Sequence, residues 1–203
     1  EFDALRERAR EVKEHVLAHL DVYLERYQEQ ATRQGGHVHW AATAEDARRI
    51  VIEICRQVDA KTVTKGKSMV SEEIGLNAAL EAAGHEVIET DLGEYIIQLA
   101  KEPPSHIIVP AVHKTRQQVG ELFAEHHRPL GYTRQLTEVG EMVDEARQVL
   151  REHYFRADVG ITGANFLIAE TGSIVLVTNE GNAELTQGLP RTHIAIASID
   201  KLV

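Results

Sequence analysis

Short apolar segments alternate with amphipathic segments from residue 61 to the end of the chain, and this alternation constrains the fold more than any other feature. Apolar runs typical of strands lie at 61–64, 85–89, 106–109, 159–162, 174–178 and from His193 onward. Segments with helical periodicity lie at 71–83, 94–100, 115–126 and 137–156. Strands that alternate with helices form mostly parallel sheets, because a parallel connection needs a crossover. The sequence therefore predicts an α/β domain with helices covering both faces of a sheet.

A different pattern precedes this domain. Residues 2–30 carry apolar side chains at a spacing near four among many Arg and Glu residues. This spacing predicts a long amphipathic helix that lies on the domain or on a partner. The turn-forming residues 34–36 end it, and residues 37–41 alternate like a short strand. We expect a helical extension over residues 1–35 and the α/β domain over residues 36–203.

Two pairs of residues mark helix starts. Thr43 is followed three positions later by Asp46, and Thr115 is followed three positions later by Gln118. A hydroxyl at the first position and a carboxyl or amide at the fourth can satisfy each other's backbone N–H groups. Both pairs predict a helix that begins directly after the hydroxyl residue.

The charge balance excludes some classes of protein. The chain has 22 Lys and Arg against 32 Asp and Glu, a formal net charge of −10. A nucleic-acid binder needs a basic surface, so no nucleic-acid partner is expected. A small anion site remains compatible with this charge, because it needs only a few local cations. No apolar run approaches the roughly 20 residues that span a bilayer, and the charged start of the chain is unlike a signal peptide.

Cysteine and histidine usage bounds the cofactors. Cys55 is the only cysteine, which excludes a disulfide framework, favours the reducing cytoplasm and leaves too few thiolates for an iron–sulfur cluster. Its apolar helical context predicts a core residue rather than a nucleophile. Two histidine pairs stand out, at His37 with His39 and at His126 with His127, but neither has a third ligand at a recognisable spacing. We therefore predict no metal ligands and no cofactor within this chain.

The first candidate site is the loop between the strand ending at residue 64 and the helix that follows it. Lys65, Lys67 and Ser68 lie there with a glycine between the lysines. Cations and hydroxyls just before a helix N-terminus are able to cradle a phosphate or a carboxylate. The glycine spacing does not match a Walker A loop. The alternative interpretation is that both lysines are solvated loop charges.

The second candidate site follows the predicted strand 106–109. His113, Lys114 and Thr115 precede a capped helix, as the first loop does. In a parallel sheet both loops lie at the carboxyl edge, so their cations can converge on one anionic ligand. His113, with an ordinary pKa near neutral, is predicted to exchange a proton with the ligand if it lies near Glu170.

The third candidate site is the segment 158–182, where polar residues occupy the turns around two apolar strands. Glu170 lies in a glycine-containing turn, and we interpret it as a nucleophile that forms an acyl intermediate, as a base or as a turn acceptor. Arg191 precedes the last strand and is a candidate carboxylate clamp. Side chains suited to bind a carboxylate or a hydroxyl are Asn165, Thr171, Asn179 and Asn182.

Several of these stretches resemble the LUD domain of the lactate-utilization iron–sulfur protein B family, and together they cover nearly the whole chain. The stretches are VHWAATAEDAR at 38–48, KSMVSEEIGLN at 67–77, ETDLGEYIIQLAKEPPSHIIVPAVHKTR at 89–116, DVGITGANFLIAETGSIVLVTNEGN at 158–182 and LPRTHIAI at 189–196. The resemblance implies a fold similar to the sugar-phosphate isomerase and CoA-transferase-like α/β group.

The resemblance also implies a function. Proteins of that family are similar to subunits of a cytoplasmic oxidoreductase complex that oxidises L-lactate to pyruvate. Their LUD domain is followed by a ferredoxin-like region with two [4Fe–4S] clusters, and this chain lacks that cysteine-bearing part. We therefore expect a piece of a longer protein, whose missing C-terminal part would carry the electron transfer. Expected partners are the other subunits of the complex and a small carboxylate or other anionic ligand.

Three functional hypotheses remain open from the sequence. In the first, the carboxyl edge binds the ligand, with charge from Lys65, Lys67 and Lys114, a proton from His113, and Glu170 as a base or orienting acceptor. In the second, the domain is a scaffold whose N-terminal helix docks other subunits. In the third, it is a stand-alone acyl- or CoA-transferring enzyme that uses Glu170. The sequence leaves open whether lactate dehydrogenation occurs in this domain or in a partner subunit.

Overall fold

The computed structural model describes all 203 residues and contains six strands and nine α-helices. The strands are β1 Thr62–Lys65, β2 Glu86–Glu89, β3 Val159–Gly163, β4 Phe166–Ile168, β5 Ser173–Val175 and β6 Thr192–Ile196. The helices are α1 Phe2–Ala18, α2 Leu20–Arg33, α3 Ala44–Gln57, α4 Met69–Glu73, α5 Leu76–Ala82, α6 Leu92–Ala100, α7 Arg116–His127, α8 Val139–Arg156 and α9 Asn182–Gly188. None of the helices has both the length and the apolar character that crossing a membrane requires.

The main sheet has four parallel strands in the order β2-β1-β3-β6. All four residues of β1 are buried, as expected for a central strand covered on both faces. The chain leaves β1 toward β2 on one side and later adds β3 on the other side, so the strand order reverses between β1 and β3. Ligands of open α/β sheets bind outside the carboxyl ends of the strands at such a reversal.

Helices cover both faces of this sheet, which confirms the predicted fold class. Successive strand residues point to opposite faces, so Val87 and Ile88 of β2 belong to two different apolar clusters. On one face the cluster is built mainly by α3, α5, β1 and β3. On the other face α6, α7 and α8 form the second cluster around Phe123 and Ala146.

A third apolar cluster attaches the N-terminal helices to the rest of the chain. Tyr27 and Ala31 of α2 pack against Ala169 and Leu202, beside the antiparallel hairpin of β4 and β5. A Cβ atom at Gly172 would lie 2.2 Å from the backbone nitrogen of Ala31, so only glycine fits there. The predicted single helix over 2–30 is wrong in one respect, because the chain breaks it at residue 19 into α1 and α2.

Three other local predictions fail. Residues 37–41 form no strand, and the predicted helix 71–83 is split into α4 and α5 at Gly75, which adopts a left-handed conformation with φ +62°. The predicted strand 106–109 is a series of bends. The edge of β2 where a further strand would pair is occupied by Gln98: its side chain accepts from the backbone N–H of Glu89 at 3.0 Å and donates to the carbonyl of Val87 at 2.7 Å.

Candidate functional site

The loops that follow β1 and β3 contact each other at the carboxyl edge of the sheet. The backbone N–H of Gly66 donates to the carbonyl of Ile161 at 2.8 Å. A Cβ atom at Gly163 would lie 3.2 Å from Ser68 Oγ, so the two loops approach closely. Ser68 itself caps α4 by accepting from the backbone N–H of Ser71 at 3.2 Å. The reversal of strand order is therefore lined by backbone and by small side chains.

Lys65, at the end of β1, is completely buried and has all its hydrogen-bonding capacity used by the protein. Its Nζ lies 3.1 Å from Ser71 Oγ, 2.7 Å from Glu72 Oε1 and 2.8 Å from Glu89 Oε1. An ammonium group has three N–H donors, and three acceptors match them. Burial alone would lower the pKa of Lys65, but the carboxylates of Glu89 and Glu72 raise it above its ordinary value. The structure thus places Lys65 as a tie between β1, β2 and α4.

Glu89 faces Lys65 across the parallel pair of β1 and β2 and is almost completely buried. Burial raises the pKa of this carboxyl, while Lys65 and the amide of Asn77 act in the opposite direction. Asn77 Nδ2 donates to Glu89 Oε1 at 2.5 Å. This acid was not predicted from the sequence, because a glutamate at a strand end is usually exposed.

Lys67 lies two residues further along the loop and is partly accessible, with 34% of its side chain exposed. Its Nζ donates to the carbonyl of Ile108 at 2.7 Å and lies 3.2 Å from Glu94 Oε1 and 4.0 Å from Asp91 Oδ2. Among the cations predicted for the loop after β1, it is the one with access to solvent. Lys67 therefore remains available to a ligand in a way that Lys65 does not.

Asp91 and Glu94 lie at the start of α6, shortly after β2, and neither was predicted as a site residue from the sequence. Asp91 caps the helix by accepting from the backbone N–H of Gly93 at 3.1 Å. The pKa of Glu94 is raised to about 8: burial contributes most, a hydrogen bond to Asp91 and the charge of Asp91 act in the same direction, and Lys67 opposes the shift. The available signal was two acids three positions apart between a strand and a helix. Strongly shifted carboxyl pKa values at a strand-end crevice are characteristic of functional sites.

The second predicted group is bonded to side chains that follow α6, not to those of this crevice. His113 Nε2 lies 2.9 Å from Glu102 Oε2, and its Nδ1 lies 2.7 Å from Ser105 Oγ. Lys114 Nζ donates to Glu102 Oε1 at 2.5 Å, and Lys114 and His113 together hold the pKa of Glu102 below its ordinary value. Thr115 caps α7 and completes the predicted capping box. These residues keep the segment before α7 attached to the end of α6.

Glu170 and Thr171 lie in the exposed turn between β4 and β5, which packs on α2. Thr171 Oγ1 is 2.9 Å from Ser173 Oγ, within the same turn. Neither ring nitrogen of His113 contacts Glu170, since both are bonded to Glu102 and Ser105. The role of Glu170 as a nucleophile or base stays a prediction.

The remaining predicted residues divide between structural positions and solvent. Asn165 Oδ1 accepts from the backbone N–H of Val177 at 2.7 Å and holds the exit of β5. Asn182 begins α9, and its Nδ2 lies 3.5 Å from the carbonyl of Thr90 at the end of β2. Asn179 and Arg191 are exposed. Of this group, Asn182 lies beside the carboxyl end of β2, and Asn165 follows the carboxyl end of β3.

The donor groups of this chain do not fit an iron–sulfur cluster. Such a cluster is usually held by four thiolates, and Cys55 is the only cysteine. Cys55 is completely buried in the apolar cluster beside α3, and burial raises its pKa to about 11, which keeps it a thiol. No group of three or more His, Cys, Asp and Glu side chains converges as a metal site either.

Comparisons with known proteins agree with the resemblance seen in the motifs. A family model described as the LUD domain matches residues 24–203. The chain is 49% identical to the uncharacterized electron transport protein YkgF of Escherichia coli (strain K12), with 99% of this chain covered. It is 50% identical to lactate utilization protein B of Geobacillus sp. (strain WCH70) over 95% of this chain, and 48% identical to that of Bacillus pumilus (strain SAFR-032) over 100%.

These relatives are longer than the chain, which spans 42%, 40% and 42% of their respective lengths. No solved structure matches it. The family match covers all strands of the sheet and the carboxyl-edge residues described above. The chain therefore belongs to the LUD domain family.

Proposed function

We propose that this chain is the ligand-binding LUD domain of a longer protein that takes part in lactate utilization, through the oxidation of L-lactate to pyruvate. The observation that carries the proposal is its identity of 48–50%, along nearly its whole length, to proteins named lactate utilization protein B. The name of the Escherichia coli relative supports an electron-transport role for the longer protein. Because this chain supplies a single buried cysteine, any [4Fe–4S] clusters would belong to the other part of that protein.

Within this domain the ligand would be a small carboxylate bound at the carboxyl edge of the sheet. The whole chain carries a formal charge of −10, so it repels anions unless a local cation attracts them. Lys67 supplies that cation at the reversal of strand order, and its side chain is the partly exposed one of the two lysines there. Lys65 would act indirectly by holding β1, β2 and α4 together.

Calorimetric titration of the chain with L-lactate and with pyruvate tests this proposal. We expect binding to at least one of the two acids, and loss of that binding in Lys67→Met. The matched control is Lys61→Met, which removes an exposed lysine at the opposite end of β1. If the unmodified chain binds neither acid, or if Lys67→Met binds as the control does, the carboxyl edge is not the ligand site.

Sequencing the gene beyond the codon for Val203 tests the electron-transfer part of the proposal. We expect the coding sequence beyond Val203 to contain cysteines at the spacing of a ferredoxin-like region. A stop codon directly after Val203 would contradict it, and a free-standing ligand-binding or acyl-transferring domain would replace it.

A second candidate function, assembly with other subunits, is favoured by one observation. Phe2 and Leu5 of α1 are 75% and 64% exposed. A groove of about 880 Å³ is lined in part by Leu5, Val12, Phe166 and Val203. Exposed apolar surface of this kind is typical of interaction sites. If assembly uses α1, cells that carry the full-length protein with Phe2→Glu/Leu5→Glu should fail to grow on L-lactate. The variant protein should still bind pyruvate as the unmodified protein does. Normal growth of that variant would count against the scaffold function.

A further inference from the structure

The two acids at the start of α6 are enclosed rather than solvated. The exposed fraction of the side chain is 12% for Glu94 and 19% for Asp91. Glu94 Oε1 lies 3.2 Å from Lys67 Nζ, while Glu94 Oε2 is buried and has no hydrogen-bond partner among the donors of the protein. A buried carboxylate oxygen without a donor is costly, so the protonation state of this carboxyl needs an explanation.

A proton on Glu94 removes that cost, because the carboxyl group then becomes a donor. Asp91 is the acceptor within reach: one of its oxygens receives the N–H of Gly93, and the other lies 4.0 Å from Lys67 Nζ. The pKa of Glu94, raised to about 8 by burial and then by Asp91, agrees with this geometry. At neutral pH the two acids therefore hold one proton and one negative charge between them.

Lys67 is the most accessible member of this group: 34% of its side chain is exposed, against 19% for Asp91 and 12% for Glu94. A Cβ atom at Gly93 would lie 3.0 Å from Pro110 Cγ, so the segment before α7 covers the start of the helix. Lys67 is bonded to that segment through Ile108. On α8, burial raises the pKa of Tyr154, and the charges of Glu180 and Asp91 act in the same direction.

We propose that Asp91 and Glu94 act as a shared-proton pair that recognises 2-oxo acids: the proton that joins the two carboxyls in the free chain turns to the 2-oxo oxygen when the ligand binds, and Lys67 binds the carboxylate. The proposal rests on the proposed function, since it takes the ligand to lie at Lys67. No covalent bond forms or breaks in this recognition. The proton stays on the pair, and the charges of ligand and ammonium neutralise each other. Ionisation of the pair would remove the donor and place a second negative charge beside the ligand.

The pH dependence of pyruvate binding, measured by calorimetry between pH 6 and 9, tests the pair. We expect a constant dissociation constant below pH 7 and a weakening that approaches about tenfold per pH unit above pH 8, because binding requires one proton. Glu94→Gln keeps an N–H donor but cannot ionise in this range. It should bind within about threefold of the unmodified chain at pH 7, since it retains a neutral donor, and should show no weakening up to pH 9. Glu94→Leu should lose binding.

Glu81→Gln is the matched control, because Glu81 is an exposed glutamate of α5 and should leave the pH profile unchanged. If Glu94→Gln shows the same pH dependence of pyruvate binding as the unmodified chain, and binding still depends on Lys67, the proposed role of the shared-proton pair is wrong. The proposed function would remain intact. Absence of pyruvate binding at every pH overturns the recognition of 2-oxo acids. Binding of L-lactate with dependence on Lys67 would then keep the proposed function, whereas absence of both ligands would remove it.

Discussion

Replacing Lys65 by Met tests how the carboxyl edge of the sheet is held together. Lys65 is completely buried, and its ammonium group joins Glu89 of β2, Glu72 and Ser71 of α4 to the end of β1. Met has a similar length and fits an apolar cavity, but it carries no charge. The substitution therefore leaves the carboxylate of Glu89, of which 4% is exposed, without its cation.

The expected loss follows from which partner is left behind. Removing one member of a buried ion pair costs about 3–5 kcal/mol, against a total free energy of unfolding of roughly 5–15 kcal/mol for a domain. The buried carboxylate of Glu89 accounts for most of this loss of stability. Glu72 contributes less, because its side chain is 44% exposed and can be hydrated when the ammonium is removed. The double variant Lys65→Met/Glu89→Gln removes the uncompensated charge and keeps an acceptor for Asn77. We expect it to recover most of the loss.

Urea unfolding at pH 7, with fitted slopes compared between variants, measures these differences. Lys67→Met is the matched control, since its partly exposed ammonium should contribute less than about 1 kcal/mol. The difference in the free energy of unfolding between Lys65→Met and the unmodified chain should become smaller as the pH falls. The pKa of Glu89 in the folded variant lies above its unfolded value, so the carboxyl favours the folded state when protonated and opposes it as the pH rises. A loss below about 1 kcal/mol, or a double variant less stable than the single one, would refute this reasoning.

Three further tests concern the packing at Gly160, the titration of His193 and the helix cap at Thr43. In urea unfolding, Gly160→Ala should destabilise the domain by several kcal/mol, because the new Cβ atom would lie 1.8 Å from the carbonyl oxygen of Thr186. The control Gly140→Ala adds a Cβ atom to a helix where nothing lies within 4 Å, so it should be neutral or stabilising by up to about 1 kcal/mol. Burial lowers the pKa of His193, so its stabilising contribution is present above its unfolded pKa near 6.5 and is lost as the pH falls. The urea midpoint of His193→Gln should therefore change less between pH 7 and 5 than that of the unmodified chain. An equal change in the two proteins would contradict this. Thr43→Ala should lower the melting temperature by removing a cap worth about 1 kcal/mol, while Thr43→Ser should retain it; equal losses in the two would exclude the cap.

The fold was largely predictable because its signals are local. Helix α8 carries apolar residues at the helical period, and Thr115 with Gln118 forms the capping box that the spacing indicates. The strand predicted over 106–109 failed for a non-local reason. Its apolar residues suit a strand, but the side chain of Gln98 occupies the backbone groups of β2 that such a strand would use.

The candidate site was predictable only in outline. Strand order placed the loop after β1 at the carboxyl edge, and Lys67 and Ser68 are indeed there. The side chains that contact those residues could not be predicted from the spacing of residues in the sequence. Asp91 and Glu94 appear in the sequence as two ordinary acids at a helix start, and their significance comes from their burial beside Lys67.

The sequence by itself determined the alternation of strands and helices, the helix caps, the single cysteine and the membership of the LUD domain family, because each depends on residue types at short spacing or on matches along the chain. Only the tertiary structure decided which charges are available. Lys65 and Lys67 are two residues apart with the same side chain, yet one is completely buried among acceptors and the other is one-third exposed. Burial and charge proximity set pKa values and ligand access, and both arise from elements that are distant in the sequence.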